Sequence, residues 1–193
     1  MKIVIINYGA GNIQSIKFAI QRLGYEAVLS HNPEEIRAAD KVIFPGVGEA
    51  SSAMRKLRAS GLDILVPQLK QPVLGICLGM QLMCSHTEEG DTEGLGIFDV
   101  DVVRFSNQVK VPQIGWNQIE SLNSPLFEGV DEKEYIYLVH SYYAPVTKNT
   151  VAQSTYGVTY ATALQKDNFY GTQFHPEKSS ATGSKILKNF LDI

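Results

Sequence analysis

The chain has 193 residues, 44% hydrophobic and 19% charged, with a net charge of −3. That is globular composition at a length that suits a single domain, 1–193, with a sizeable core. Acidic and basic residues are interspersed and no apolar run approaches the roughly 18–20 residues that span a bilayer, so neither nucleic acid nor membrane is expected as a partner.

Residues 2–6 form an apolar run that reads as a strand buried on both faces and is too short for a signal-peptide core. Asn7-Tyr8-Gly9-Ala10-Gly11-Asn12 is a glycine-rich turn. Ile13, Ile16, Ile20 and Leu23 then recur on one helical face up to a stop at Gly24. The turn is no dinucleotide fingerprint, because Gln14 stands where the third glycine belongs. A second strand is expected at 26–29, and Asn32-Pro33 before Glu34-Glu35 reads as an N-cap and first helical turn. A third strand at 41–44 runs out into Pro45-Gly46-Val47-Gly48, and a helical stretch extends to about residue 70. A fourth strand covers 72–76, Cys77 stands at its end, and 78–85 reads as a helix. Strands alternating with helices predict an α/β fold with a mostly parallel central sheet flanked by helices, whose ligands bind beyond the carboxyl ends of the strands. The second half changes character. Strands over 100–105, 109–119, 134–139, 151–155, 160–165 and 169–174 predict an antiparallel or mixed region, closed by a helix at 183–191.

Cys77 and Cys84, on one helix, would lie roughly 10 Å apart along its axis, whereas a disulfide needs Cα atoms within about 7 Å. Reduced thiols and a cytoplasmic location are expected, and the scattered histidines make no metal pattern. Gly75-Ile76-Cys77-Leu78-Gly79, between a strand and a helix, is a nucleophile-elbow pattern with Cys for Ser. The glycines permit a strained turn that lifts the sulfur onto a helix N-terminus, where the dipole favours thiolate. On this pattern alone a nucleophile and a buried structural cysteine stand level. Phe174-His175-Pro176-Glu177 places an imidazole and a carboxylate on a rigid bend, the spacing of a base and the group that orients it. His31 and His86 are expected at the surface and Cys84 in the core. Trp116 reads equally as core or as a partner-facing side chain.

Gly75-Ile76-Cys77-Leu78-Gly79-Met80-Gln81 together with Gln173-Phe174-His175-Pro176-Glu177-Lys178-Ser179 resembles the class I, triad-type glutamine amidotransferases, over nearly the whole chain. The resemblance implies that Cys77, His175 and Glu177 hydrolyse L-glutamine with no cofactor, and that Gln81, Glu89, Ser141 and Tyr142 contact the substrate. The elbow pattern makes the Leu78 N–H one oxyanion donor, and Val47 or Gly48 is expected to supply the other. Finer motifs resemble one branch of the family, whose glutaminases pass ammonia to a (β/α)8-barrel cyclase subunit in histidine biosynthesis. These are the 7–13 loop, Pro-Gly-Val-Gly where most relatives carry Pro-Gly-Gly, Met80, Gly115-Trp116-Asn117 and Val139-His140-Ser141-Tyr142. By the same resemblance Asn12, Trp116, Tyr137 and Lys178 face the barrel. Gln113 departs from the pattern, which leads one to expect His, and puts in doubt only a detail of that loop. A paralogous glutaminase, for instance one serving surface-sugar amination, would keep these motifs. A non-enzymatic module on the same fold is disfavoured by the intact Cys/His/Glu set, and a peptidase would be separated by assay. Val47, being β-branched, resists positive φ, so the isolated subunit is expected to be nearly silent.

Overall fold

The computed structural model describes residues 1–9 and 11–193; Ala10, in the glycine-rich turn, lies outside the described residues. The first half runs β1 (Ile3–Ile6), α1 (Ile13–Arg22), β2 (Ala27–Ser30), α2 (Pro33–Arg37), β3 (Lys41–Gly46), α3 (Ala50–Ser60), α4 (Leu62–Leu65), β4 (Val73–Cys77) and α5 (Leu78–Leu82). The second half runs β5 (Cys84–Thr87), β6 (Thr92–Glu93), β7 (Phe98–Arg104), β8 (Gln113–Gln118), β9 (Tyr135–His140), β10 (Tyr142–Pro145), β11 (Thr150–Tyr156), β12 (Val158–Lys166), β13 (Phe169–Thr172) and α6 (Ser180–Asp192).

One large sheet has the order β2-β1-β3-β4-β13-β12-β10-β7-β5-β6, with β11 paired to β12 and a separate β8–β9 hairpin. From β2 to β13 all pairings are parallel. Beyond β13 most become antiparallel, with β5–β7 parallel. Alternation along each strand divides the core in two. Ile3, Ile5 and Ile43 face Ile16, Ala19 and Ile20 of α1 and Ile186, Leu187 and Phe190 of α6. Val4, Ile6, Val42 and Phe44 face Ala53, Met54 and Leu57 of α3. Each such Val, Ile, Leu, Met or Phe side chain contributes about 1.5–3 kcal/mol by leaving water, which is why the parallel strands read as continuous apolar runs.

Local chemistry sets the element ends. Asn32 Oδ1 accepts from Glu34 N at 2.9 Å, the expected N-cap. Gly24 turns left-handed after α1 (φ 86°), as a helix stop requires.

Several expectations need correction. The helix expected over 78–85 lasts five residues, because Cys84 pairs with Phe98 and the chain enters β5. The long helix to residue 70 is broken at Gly61 (φ 69°), which ends α3 and starts α4. The strand expected over 109–119 begins only at Gln113, after a cis Val111–Pro112 bond. The short β6 and β10 have no counterpart in the sequence pattern. His86 lies at the surface as expected, half-buried and 2.9 Å from Asp91 Oδ1.

Candidate active site

Three adjacent parallel strands, β3, β4 and β13, end side by side. Gly46 pairs with Cys77, and Thr172 pairs with Ile76. The loops beyond those ends therefore bring together residues 45–48, Cys77 and the His175 turn, far apart in sequence.

Cys77 has φ 53° and ψ −112°, a region that residues with a Cβ avoid at a cost of about 1–3 kcal/mol. The surroundings impose it. A Cβ on Gly79 would run into the Phe44 carbonyl oxygen, and one on Gly75 would strike the Met83 methyl. Only glycine allows α5 to sit this close to β3 and β4. Cys77 Sγ lies 3.8 Å from the Val139 carbonyl oxygen and 3.8 Å from Gln173 Nε2.

His175 precedes a short 3-10 turn (Pro176–Lys178). Its Nδ1 is 2.9 Å from Glu177 Oε1, and the Glu177 side chain is fully buried. Glu177 Oε2 has no hydrogen-bond partner among the described residues. A buried, half-satisfied carboxylate is compensated chiefly by a cation beside it. Burial alone would lower the pKa of His175, but hydrogen bonds and charge from Cys77 and Glu177 outweigh it and hold the imidazole up at about 10. The ring is positioned twice more. His175 N donates to Tyr137 O at 3.0 Å, and Ser179 Oγ donates to His175 O at 2.7 Å.

A cavity of about 360 Å³ opens over these groups, room for a free amino acid. Its lining includes Cys77, His175, Val47, Gly48, Leu78, Gln81, Glu89, Ser141, Tyr142 and Lys178. Thus every expected catalytic, oxyanion and substrate-contact residue except the buried Glu177 lines one space. Gln81 donates through Nε2 to Tyr142 O (3.0 Å) and Gln173 Oε1 (2.9 Å). Glu89 Oε2 accepts from Ala50 N, at the start of α3, at 2.9 Å. Partial burial raises its pKa, reinforced by the Glu49 charge and opposed by that N–H.

Of the four residues expected at a partner surface, Lys178 lines the cavity, and the others lie on elements that adjoin its turn or each other. Trp116 is 52% exposed, its ring 5.8 Å from Tyr137 across the β8–β9 hairpin. Tyr137 N donates to Ser179 Oγ at 2.9 Å, next to Lys178. Asn12 opens α1, which packs against the 176–178 turn.

Five groups at this site carry roles that residue identity alone does not suggest. Gln173 belongs to the His175 motif, and here it links Gln81 to Cys77. Tyr8, in the glycine-rich turn, donates its hydroxyl to Pro45 O at 2.8 Å and so anchors the segment beside the nucleophile. The Val139 carbonyl and His140 form the opposite wall. Gln113, expected to affect only a loop, is a buried residue of β8 in contact with His140. Backbone carbonyls leave no trace in residue identity, and His140 becomes visible only once β9 is placed.

Among the described residues no cluster of His, Cys, Asp and Glu could hold a metal ion, and no helix is long and apolar enough to cross a membrane. A family model described as "Glutamine amidotransferase class-I" matches residues 4–193. The protein named imidazole glycerol phosphate synthase subunit HisH of Bacteroides thetaiotaomicron is 56% identical, with all of both chains covered. The protein of the same name from Escherichia coli (strain K12) is 46% identical with the same coverage. Among solved structures, the crystal structure of a glutamine amidotransferase superposes with a TM-score of 0.76 at 20% identity, covering 98% of this chain and 97% of that one. At that identity the likeness concerns the fold alone.

Proposed function

The chain belongs to the class I glutamine amidotransferases and hydrolyses glutamine, and from that premise we propose that Cys77, His175 and Glu177 carry the reaction in the cavity described. It is the glutaminase subunit of imidazole glycerol phosphate synthase, in line with the relatives that match it end to end. The observation that carries the residue roles is the strained Cys77 elbow facing an imidazole that a buried carboxylate holds at 2.9 Å.

In this reading the Cys77 thiolate attacks the side-chain amide carbon of glutamine. The carbonyl oxygen becomes an oxyanion that receives the Leu78 N–H and a second N–H from Val47 or Gly48. His175, protonated, gives its proton to the departing nitrogen, and ammonia leaves as the γ-glutamyl thioester forms. The neutral imidazole then takes a proton from water, which attacks the thioester, releases glutamate and restores the Cys77 thiolate beside the protonated His175. Glu177 fixes the ring and offsets its charge. Gln81, Glu89, Ser141 and Tyr142 hold the substrate, with Glu89 facing its α-ammonium group.

Free ammonia is mostly protonated at neutral pH and so non-nucleophilic, which favours direct transfer to a synthase. We assign the receiving partner as a (β/α)8-barrel cyclase forming a heterodimer in the cytoplasm, docked on the side that carries Asn12, Trp116, Tyr137 and Lys178. The test is Cys77→Ala in the two-subunit complex. Glutamine-dependent synthesis should vanish while synthesis from added ammonium salt remains. Glutamine turnover near wild type would overturn the assignment of the nucleophile.

A further inference from the structure

The wall facing Cys77 is formed where β9 ends at His140 and the chain passes through Ser141 into Tyr142. This bend is closed on itself. His140 Nδ1 lies 2.7 Å from the Tyr142 carbonyl oxygen. A carbonyl only accepts, so Nδ1 carries the hydrogen. The same carbonyl accepts from Gln81 Nε2 at 3.0 Å. One backbone oxygen therefore ties the wall of the cavity to its floor.

Burial keeps His140 neutral, pushing its pKa down to about 4; the Tyr142 carbonyl opposes the shift and the charge on His175 adds to it. With the hydrogen on Nδ1, Nε2 presents a lone pair. The group facing it, at 3.0 Å, is the Gln113 amide, which also lies 2.9 Å from the Tyr160 hydroxyl. Placed with Oε1 toward the ring, this amide would set one lone pair against another. Its two ends are alike in shape, and turned end for end it donates one N–H to His140 Nε2 and the other to the Tyr160 oxygen. The Tyr160 hydroxyl is then free to donate elsewhere; Ser154 is the residue paired with Tyr160 across β11 and β12. Ser154 Oγ in turn donates to Gln118 O at 2.6 Å. His140 Nε2 then faces a donor instead of another lone pair, as burial demands. Phe105 packs 5.2 Å from His140 and 5.5 Å from Tyr160 between ring centres, which blocks an alternative ring position.

We propose that Gln113 is a positioning residue for glutamine: by donating to His140 Nε2 it fixes the ring and tautomer that hold residues 139–142 in their substrate-receiving form. This rests on the reading that glutamine occupies the cavity over Cys77. A hydrocarbon at 113 leaves Nε2 without a donor, and a carboxylate, which only accepts, requires both ring nitrogens to be protonated.

The test uses the full chain with its synthase partner. Gln113→Leu should raise KM for glutamine about tenfold, the size of one lost buried hydrogen bond, with kcat changed by less than about threefold. Gln113→His can present an N–H to the same atom and should bring KM back to within about threefold of wild type. Nitrogen NMR of the His140 ring should show the neutral Nδ1–H tautomer in the wild type at pH 7 and a doubly protonated ring in Gln113→Glu. An Nε2–H tautomer in the wild type, an unmoved KM in Gln113→Leu, or a Gln113→His variant as impaired as Gln113→Leu would overturn the proposal. If Gln113→Leu fails to fold, the wild-type and Gln113→Glu spectra decide it. A wild-type chain that turns over no glutamine would instead sink the reading of the cavity, and the tautomer would still decide the role of Gln113.

Discussion

The ends of β3 and β4 lie side by side beneath the cavity and are built in opposite ways. Behind Cys77, on the side away from the cavity, the packing is tight: the backbone of α5 rests against that of β3, and neither Gly75 nor Gly79 could accept a Cβ without displacing its neighbours. At the end of β3 the packing stops abruptly. A Cβ on Gly46 would fall 2.6 Å from Gly79 N, yet Val47 is 42% exposed, and at Gly48 (φ 94°) a Cβ would meet nothing within 4 Å. The nucleophile is thus held by contacts that the fold itself needs, while the neighbouring segment, to which we assign the second oxyanion donor, is fixed on one side and free on the other. A rigid nucleophile beside an adjustable oxyanion site allows the rate to be set without disturbing the attacking sulfur.

The largest expected effect tests the rigid side. If Cys77, His175 and Glu177 act as one proton-transfer unit, His175→Ala should cut glutamine turnover by about 10³-fold or more, and the double variant with Glu177→Gln should lose hardly more. Glu177→Gln alone should be milder. It should also shift the alkaline limb of the rate profile from about 10 toward neutrality, because a neutral amide no longer supports the imidazolium. The sign for stability follows from the same shift. His175 holds its proton more tightly folded than unfolded, so its contacts with Cys77 and Glu177 stabilise the fold below about pH 6.5, a contribution lost as pH rises through about 10. Additive rate losses in the mutant cycle would mean that Glu177 does not work through His175.

Next in size is a pair of glycine substitutions that sets the two strand ends against each other. Gly79→Ala forces a methyl against the Phe44 carbonyl, an overpacking expected to cost about 3 kcal/mol or more and to lower Tm by about 6–12 °C in a chain of this length. Gly48→Ala has open space and suffers only its positive φ, about 1–2 kcal/mol. Its Tm should fall by only a few degrees while glutamine turnover suffers more. Equal Tm losses in thermal melts would erase the distinction between the two ends.

The same contrast governs what can be read from residues alone. The parallel half is legible because its strands are buried on both faces and its helices carry a 3.6-residue stripe. Ile16 and Ile20 of α1 lie where that stripe puts them. The Cys77 elbow is legible because glycines flank a nucleophile at a strand end. Just after Met83 the signal fails. Cys84-Ser85-His86-Thr87 continues a helical pattern for too few residues to compete with the edge of β7, and the tertiary pairing decides. Of the cavity, the side chains can be nominated, but the Val139 carbonyl and the roles of Gln173 and Gln113 arise from strand order. Gln113 stands out in the sequence only as a departure, and its place beneath His140 depends on β8 starting at Gln113 itself, later than its apolar pattern suggests.

The smallest effect probes the adjustable end. We expect the Gly46–Val47 peptide to have to turn before its N–H points at an oxyanion, and such a turn would carry φ of Val47 to positive values. Val47 is outside that region, and a β-branched residue enters it only at a cost of about 1–2 kcal/mol or more. Tyr8, holding Pro45 O, keeps the start of the segment from drifting, so the cost is concentrated at the 46–48 peptides. A partner that favours the turned form by contacts near Asn12 and Lys178 would shift the population between two discrete states. The chain alone should therefore hydrolyse glutamine slowly, faster with the cyclase, and fastest with cyclase and acceptor analogue. Val47→Gly removes the β-branch and should raise the partner-free rate about tenfold, with little change in the fully activated complex, because there the partner has already met the cost. Steady-state glutaminase assays under the three conditions, on wild type and Val47→Gly, decide it. Rates equal within a few-fold across the conditions, or a Val47→Gly chain as slow as wild type when alone, would show that the strand beside Cys77 is as fixed as the elbow and that control resides elsewhere in the cavity.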